Sequence, residues 1–392
     1  VILAPLADLV LRDAALSEVM AEAKGGRMLA LDVTGPEALR PFVVTGLVRQ
    51  ERTVLAVTAT SREAEDLVNN LTDLLPPDSV ALYPSWETLP HERLSPRSDT
   101  VGRRLAVLRR LRHPDADGAH GPLKVVVAPV RSVLQPQVKG LGDLEPVELI
   151  KGQEAALDDV VQKLADAAYS RVDLVEKRGE FAVRGGIVDV FPPTEEHPVR
   201  VEFWGDEIDS LRHFAVADQR AIPPEHGGET ERLWAPPCRE LLLTPEVRAR
   251  AKALGEAHPT LVELTDKIAA GIAVDGMESL APALVDDMEL LLDLIPDDGH
   301  VLLLDPERIR SRAHDLVATA DEFLGASWAA AASGGVAPID LSAASYKDLA
   351  DVRAHAISQG KPWWSVSPFG IDDSVGLDTP PPSGSGGSTS GC

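Results

Sequence analysis

Two short stretches carry residues whose types and order could serve nucleotide chemistry. The first is Thr34-Gly35-Pro36-Glu37-Ala38-Leu39-Arg40, directly after the apolar run Met28 to Val33. An α/β nucleotide-binding fold places its phosphate loop there. Such a loop needs glycines so that backbone N–H groups can wrap phosphates, a Lys for the β/γ-phosphates, and a Ser or Thr for Mg²⁺. Only Thr34 and Gly35 suit that role. Pro36 removes a donor, and Glu37, Ala38, Leu39 and Arg40 stand where Gly-Lys-Ser/Thr should be. The second stretch is Leu302-Leu303-Leu304-Asp305, like a strand whose final Asp holds a magnesium ion. The acid that should follow to activate water is Pro306, and Glu307 comes one place late. Together they read as a nucleotide-hydrolysing scaffold that has lost its chemistry. Read instead as two apolar strands followed by loops, they predict the same absence of ATP hydrolysis.

Other chemistry is missing from the sequence. The ten histidines show no H-E-x-x-H and no ligand spacing beside an acid. There is no G-x-S-x-G. The pairs Asp158-Asp159, Asp286-Asp287 and Asp297-Asp298 read as solvated faces or caps. The two cysteines, Cys238 and Cys392, are far apart and form no C-x-x-C pair, which fits a reducing, cytoplasmic setting. No metal or cofactor is expected.

A third stretch offers binding rather than catalysis. Ser170 to Phe214 is the densest run of strand-like sequence in the chain, and it gathers Arg171, Lys177, Arg178, Arg184 and Arg200. The whole chain has 38 Lys+Arg against 62 Asp+Glu, a net charge of −24, so a surface of this average character repels a phosphate backbone. Against it a local cluster of arginines with Phe191 and Trp204 has the composition of a protein interface. The same composition also suits single-stranded nucleic acid. A third reading pairs Arg184 and Arg200 across strands with Glu180, Glu202 or Asp189, for a few tenths of a kcal/mol each. A second basic run, Arg103, Arg104, Arg109, Arg110 and Arg112, lies on a helix spanning 93–112. It reads either as a phosphate contact or as a solvated face paired with nearby acids.

The elements that must position these residues are legible from periodicity. A helix is expected over 8–24. Short strands follow at 27–33 and 53–58, with a helix opening at Ser61 as its N-cap. Lys124 to Ala128 and His300 to Leu304 read as strands buried on both faces. Strands alternating with helices imply a parallel α/β layer. Near residue 137 the texture changes to a helix, Leu157 to Tyr169, and an antiparallel meander broken at Gly185-Gly186 and Gly205-Asp206. Helices return at 245–255, 259–271, 315–323 and 346–358, and Trp363 to Val366 reads as an edge strand. The expected fold class is α/β: a degenerate helicase-like parallel-sheet domain in two lobes, 1–136 and 217–368, with an α+β domain inserted at 137–216 and a flexible tail at 369–392. The N-terminus has no basic leader followed by an apolar core, so no signal peptide is expected. No apolar run approaches the ~18 residues of a membrane span.

Arg178-Gly179-Glu180-Phe181-Ala182-Val183-Arg184-Gly185-Gly186-Ile187-Val188-Asp189-Val190-Phe191-Pro192, with Val199 to Arg212, resembles a signature shared by the excision-repair helicase UvrB and the N-terminal part of the transcription-repair coupling factor, Mfd. Tyr83-Pro84-Ser85-Trp86-Glu87-Thr88-Leu89-Pro90, Ser95-Pro96 and Arg103-Arg104-Leu105 are similar to the coupling factor specifically. The likeness covers roughly residues 25–365. UvrB keeps an intact phosphate loop, an Asp-Glu box and an aromatic-rich DNA hairpin. This chain has degenerate forms of the first two and nothing like the third. The resemblance therefore implies a coupling-factor module without catalysis, whose inserted domain recruits UvrA. It also implies that the C-terminal domain of the full-length protein masks the recruiting face. RNA polymerase and double-stranded DNA would be engaged only by downstream domains of an ATP-dependent translocase. By motif position, Arg171, Arg184 and Phe191 would contact UvrA, with Arg178 and Arg200 next. Thr34, Gly35 and Asp305 would be the remains of the nucleotide loop.

Overall fold

The computed structural model describes residues 3–25, 28–89, 94–116, 121–332 and 344–368. The expected tail at 369–392 lies outside the described residues. Six parallel strands form one sheet in the order Ala30–Thr34, Trp363–Ser367, Gly299–Leu304, Thr53–Thr58, Val125–Pro129, Val80–Leu82. The four inner strands are buried along their whole length. Their sequences explain this. Successive side chains point to opposite faces, and both faces are apolar. Leu55, Val57, Val126, Ala128, Val301 and Leu303 enter one core. Val54, Ala56, Val125, Val127, Leu302 and Leu304 enter the other.

The two expected lobes thus share one sheet, since the strands of the second lobe complete that of the first. Trp363–Ser367 is not an edge strand but lies between Ala30–Thr34 and Gly299–Leu304, with Trp364 1% exposed. What the second lobe builds for itself is a helical layer. Pro245–Ala257, Val262–Ala269 and Ala281–Leu284 close a separate core around Val247, Ala251, Ile268 and Leu284.

Of the helix boundaries that differ from expectation, three do so for a capping reason. The first helix is two, Ala4–Val10 and Ala14–Gly25, because the Asp13 carboxylate accepts from the Ala15 and Leu16 amides and starts a new helix. The helix Ser61–Thr72 is capped by Thr60, not Ser61: the Thr60 hydroxyl accepts from Glu63 N, and the Glu63 carboxylate accepts from Thr60 N. Thr60→Ala should lower stability by about 1 kcal/mol in a thermal melt. The long helix starts at Pro306, not near 315. The proline that interrupts the acidic box is a favoured first-turn residue.

The insertion is a five-stranded sheet, ordered Glu207–His213, Val199–Trp204, Ile187–Val190, Glu180–Arg184, Ser170–Arg171; all pairs are antiparallel except the last. The helix Leu157–Asp166 buries Val160 and Leu164 against Phe181, Val188, Val190, Val199 and Val201. A second ribbon pairs Val147–Ile150 with Arg232–Ala235 and shares that core. The limit expected at residue 216 is therefore too early, because Leu233 and Ala235 belong to the inserted unit. Among the described residues no helix is long and apolar enough to cross a membrane.

Candidate docking surface and degenerate nucleotide site

The inserted sheet has one face that is apolar except at its two edge strands, where Arg171 and His213 stand in register with it, and one mixed face. Register sets the division. Phe181, Val190 and Val199 share a row on the helix side, and Ala182, Asp189 and Arg200 share a row on the other. The mixed face is partly covered by Val175, Phe191 and Phe214, packed over Ala182.

The five expected contact residues fall into different environments. Arg171 lies exposed on the short edge strand Ser170–Arg171. Arg184 is exposed at the end of its strand, before the turn in which Gly185 takes φ 60°. One arm of its guanidinium donates to the Asp173 carbonyl. Arg178 is exposed on the preceding turn, donates to the Glu195 carbonyl at 2.9 Å, and lies 5.2 Å from the Phe191 ring centre. Among the described residues no carboxylate forms an ion pair with these three arginines.

Arg200 and Phe191 differ from that expectation. Arg200 donates to both Asp189 oxygens, at 2.7 and 2.8 Å, and Asp189 is 3% exposed. The hydrogen bond to Asp189 raises the Arg200 pKa above its ordinary value despite partial burial. Arg200 is thus committed to its neighbour strand. Phe191 is 6% exposed and cannot anchor a partner from the surface. It supports Arg178 from beneath. The exposed aromatic is Trp204, 82% exposed, at the end of Val199–Trp204 where Gly205 turns the chain. Composition grouped Phe191 with Trp204. Only their positions relative to Pro192 and Gly205 separate the buried ring from the open one.

At the other site, Thr34 ends an edge strand and the Gly35 amide donates to the Ser367 carbonyl at 3.0 Å. A Cβ on Gly35 would meet the Leu39 side chain at 2.6 Å, so the loop is packed by its own residue. Asp305 adopts φ 73°, its carboxylate accepting weakly from Arg308 N at 3.4 Å. Arg40, 8% exposed, donates to Asp305 at 3.4 Å and to Glu37 at 2.9 Å. A guanidinium fixed on Asp305 opposes a second cation there. The adjoining cavity of 630 Å³ is lined by Glu37, Glu63, Asp66 and Asp73 as well as Arg40, an acidic wall for a phosphate. No group of three His, Cys, Asp or Glu side chains among the described residues could hold a metal ion. Burial pushes the Cys238 thiol up to about 12, which removes it as a nucleophile at neutral pH.

The basic helix is Ser98–Arg112; Arg103 and Arg112 are exposed and ion-paired with Asp99 and Asp143, Arg109 and Arg110 are half-buried, and Arg104 is buried. Arg104 is not on a solvated face: it is 0% exposed and ion-paired with Glu240. Arg109 donates to the Leu144 carbonyl and Arg110 to those of Asp78 and Gly121.

The UvrB interaction domain family matches residues 147–226, which includes the five-stranded sheet and all five expected contact residues. A transcription-repair-coupling factor of Mycobacterium tuberculosis is 49% identical over 391 residues, covering 96% of this chain and 31% of that protein. The chain matches a segment of a transcription-repair-coupling factor. The corresponding protein of Bacillus subtilis is 28% identical over 298 residues, 69% of this chain and 24% of its own length. UvrABC system protein B of Streptomyces avermitilis is 29% identical over 262 residues, 62% of this chain and 35% of its own. The chain spans about a third of the length of the mycobacterial coupling factor.

Proposed function

We propose that this chain is the UvrA-recruiting module of a transcription-repair coupling factor, working by protein docking and without catalysis of its own. The observation that carries this reading is the set of exposed, carboxylate-free arginines, Arg171, Arg178 and Arg184, on the matched domain of a strongly acidic chain. They supply charge to an acidic partner surface. Trp204 supplies the apolar contact that Phe191, being buried, does not. In the longer protein a C-terminal domain covers this face until it is needed. RNA polymerase and double-stranded DNA are engaged by the translocase portion that lies outside this stretch.

Co-elution of the chain with UvrA tests this directly. Arg184→Ala and Trp204→Ala should each weaken binding by about 2 kcal/mol, roughly thirtyfold. Phe191→Ala should act through stability, lowering the melting temperature of the insertion. Full affinity in both Arg184→Ala and Trp204→Ala would remove the site assignment. The competing reading is a UvrB-like ATPase or DNA-binding module. The Arg40–Asp305 pair, the buried Arg104–Glu240 pair and the ion pairs of the exposed Arg103 and Arg112 with Asp99 and Asp143 count against it. A clear ATPase rate from this chain alone, or a steeply salt-dependent affinity for DNA, would favour it instead.

A further inference from the structure

The inserted domain is joined to the α/β body by two chain crossings, one entering before Val147 and one leaving after Ala235. Two crossings side by side make a hinge, and relative motion is the default for a domain so attached. Here one helix of the body meets the insertion along its length. Ser98 Oγ donates to the Arg178 carbonyl at 3.0 Å. A Cβ on Gly102 would sit 2.3 Å from Pro193 Cβ, so the helix backbone touches the insertion where only glycine fits. Arg109 reaches the Leu144 carbonyl on the entering chain at 3.1 Å.

Between Gly102 and Arg109 lies Arg104, and it binds both crossings at once. Its Nε donates to Glu240 Oε1 at 2.5 Å, on the leaving chain. Its Nη2 donates to Gln137 Oε1 at 3.4 Å, on the entering chain. Its Nη1 donates to the Pro84 carbonyl at 3.0 Å, and its guanidinium lies over the Tyr83 ring at 4.3 Å. Trp86 Nε1 donates to the same Glu240 oxygen at 3.0 Å. The planar fork of an arginine can satisfy several partners in one fixed geometry, which a lysine cannot. Buried ion pairs are poor sources of net stability, and setting register is their best-attested use.

We propose that Arg104 is a positioning residue: it clamps the two chain crossings together and, with the close Gly102–Pro193 approach, fixes the orientation of the inserted domain on the body. This holds whichever partner the insertion binds.

The test is a distance distribution between spin labels at Glu65→Cys on the body and Glu196→Cys on the insertion, both exposed, with Cys392 replaced by serine. The parent should give one narrow peak. Arg104→Met with Glu240→Leu removes the clamp without stranding a buried charge. Gly102→Ala favours the helix while forcing Pro193 away. Both should shift or broaden the peak while keeping the parent circular dichroism spectrum. Arg103→Ala, on the exposed neighbour, should leave it narrow. An unchanged narrow peak in either folded variant overturns the proposal, as does broadening in Arg103→Ala. Should the double variant fail to fold, Gly102→Ala decides.

Discussion

Arg104→Ala should destabilise the protein by about 3–5 kcal/mol, the cost of leaving a buried partner charge uncompensated. Glu240 is 2% exposed and would keep only the Trp86 indole as a donor among the bonds described. Gln137 would lose the guanidinium but keep the Tyr83 hydroxyl. Burial works against the Arg104 charge, yet the Glu240 carboxylate outweighs it and holds the guanidinium above its ordinary pKa. Burial likewise pushes the Tyr83 phenol well above its usual range, so it stays a neutral donor. Native domains are stable by only about 5–15 kcal/mol, so the loss is a large share of the total. Urea unfolding at neutral pH measures it. Glu240→Ala should cost a comparable amount. The losses in Arg104→Met and Glu240→Leu made singly should sum to more than the loss when the two are combined, because the combination leaves no orphan charge. Additive losses would mean that the two residues do not act as a pair.

The burial of Arg104 had a signal in the sequence. Val101, Leu105, Leu108 and Leu111 define the apolar stripe of Ser98–Arg112, and Arg104 lies three residues after Val101 and four before Leu108, inside it. An arginine on a buried stripe requires a buried acid. Which acid could not be read, because Glu240 is 136 residues away and meets Arg104 only once the chain has passed through the insertion. The same limit governs the sheet. The strands were legible one by one from apolar runs such as Val125 to Ala128. Their order was not, since Trp363–Ser367 becomes an inner strand only by inserting between Ala30–Thr34 and Gly299–Leu304. At the candidate docking surface the motif placed all four arginines on the inserted domain. It could not separate Arg200, tied to Asp189 by strand register, from Arg184, which faces solvent at a turn.

Stability should also fall in acid through one residue inside the sheet. His300 is 0% exposed on Gly299–Leu304, packs edge-on to Trp364 with ring centres 4.4 Å apart, and has no partner for either ring nitrogen among the described residues. Burial first, and the Arg52 charge second, lower its pKa from 6.5 to about 3. The folded protein therefore keeps this ring neutral where the unfolded chain protonates it. Below pH 6.5 the unfolded state binds the extra proton, so stability drops as pH falls and continues to drop until about pH 3. The slope approaches about 1.4 kcal/mol per pH unit, which amounts to about 2 kcal/mol between pH 7 and pH 5. Carboxylates add their own acid dependence, so the comparison must be with a variant. His300→Leu removes both the titration and two unpartnered polar atoms. It should match or exceed the parent at pH 7 and lose about 2 kcal/mol less on going to pH 5. Urea midpoints at pH 7, 6 and 5 read this out. Parallel acid profiles for parent and variant would place the proton uptake elsewhere. At neutral pH the ring packs edge-on against Trp364 and bears only the cost of its two unpartnered nitrogens; protonation adds a buried charge to that cost.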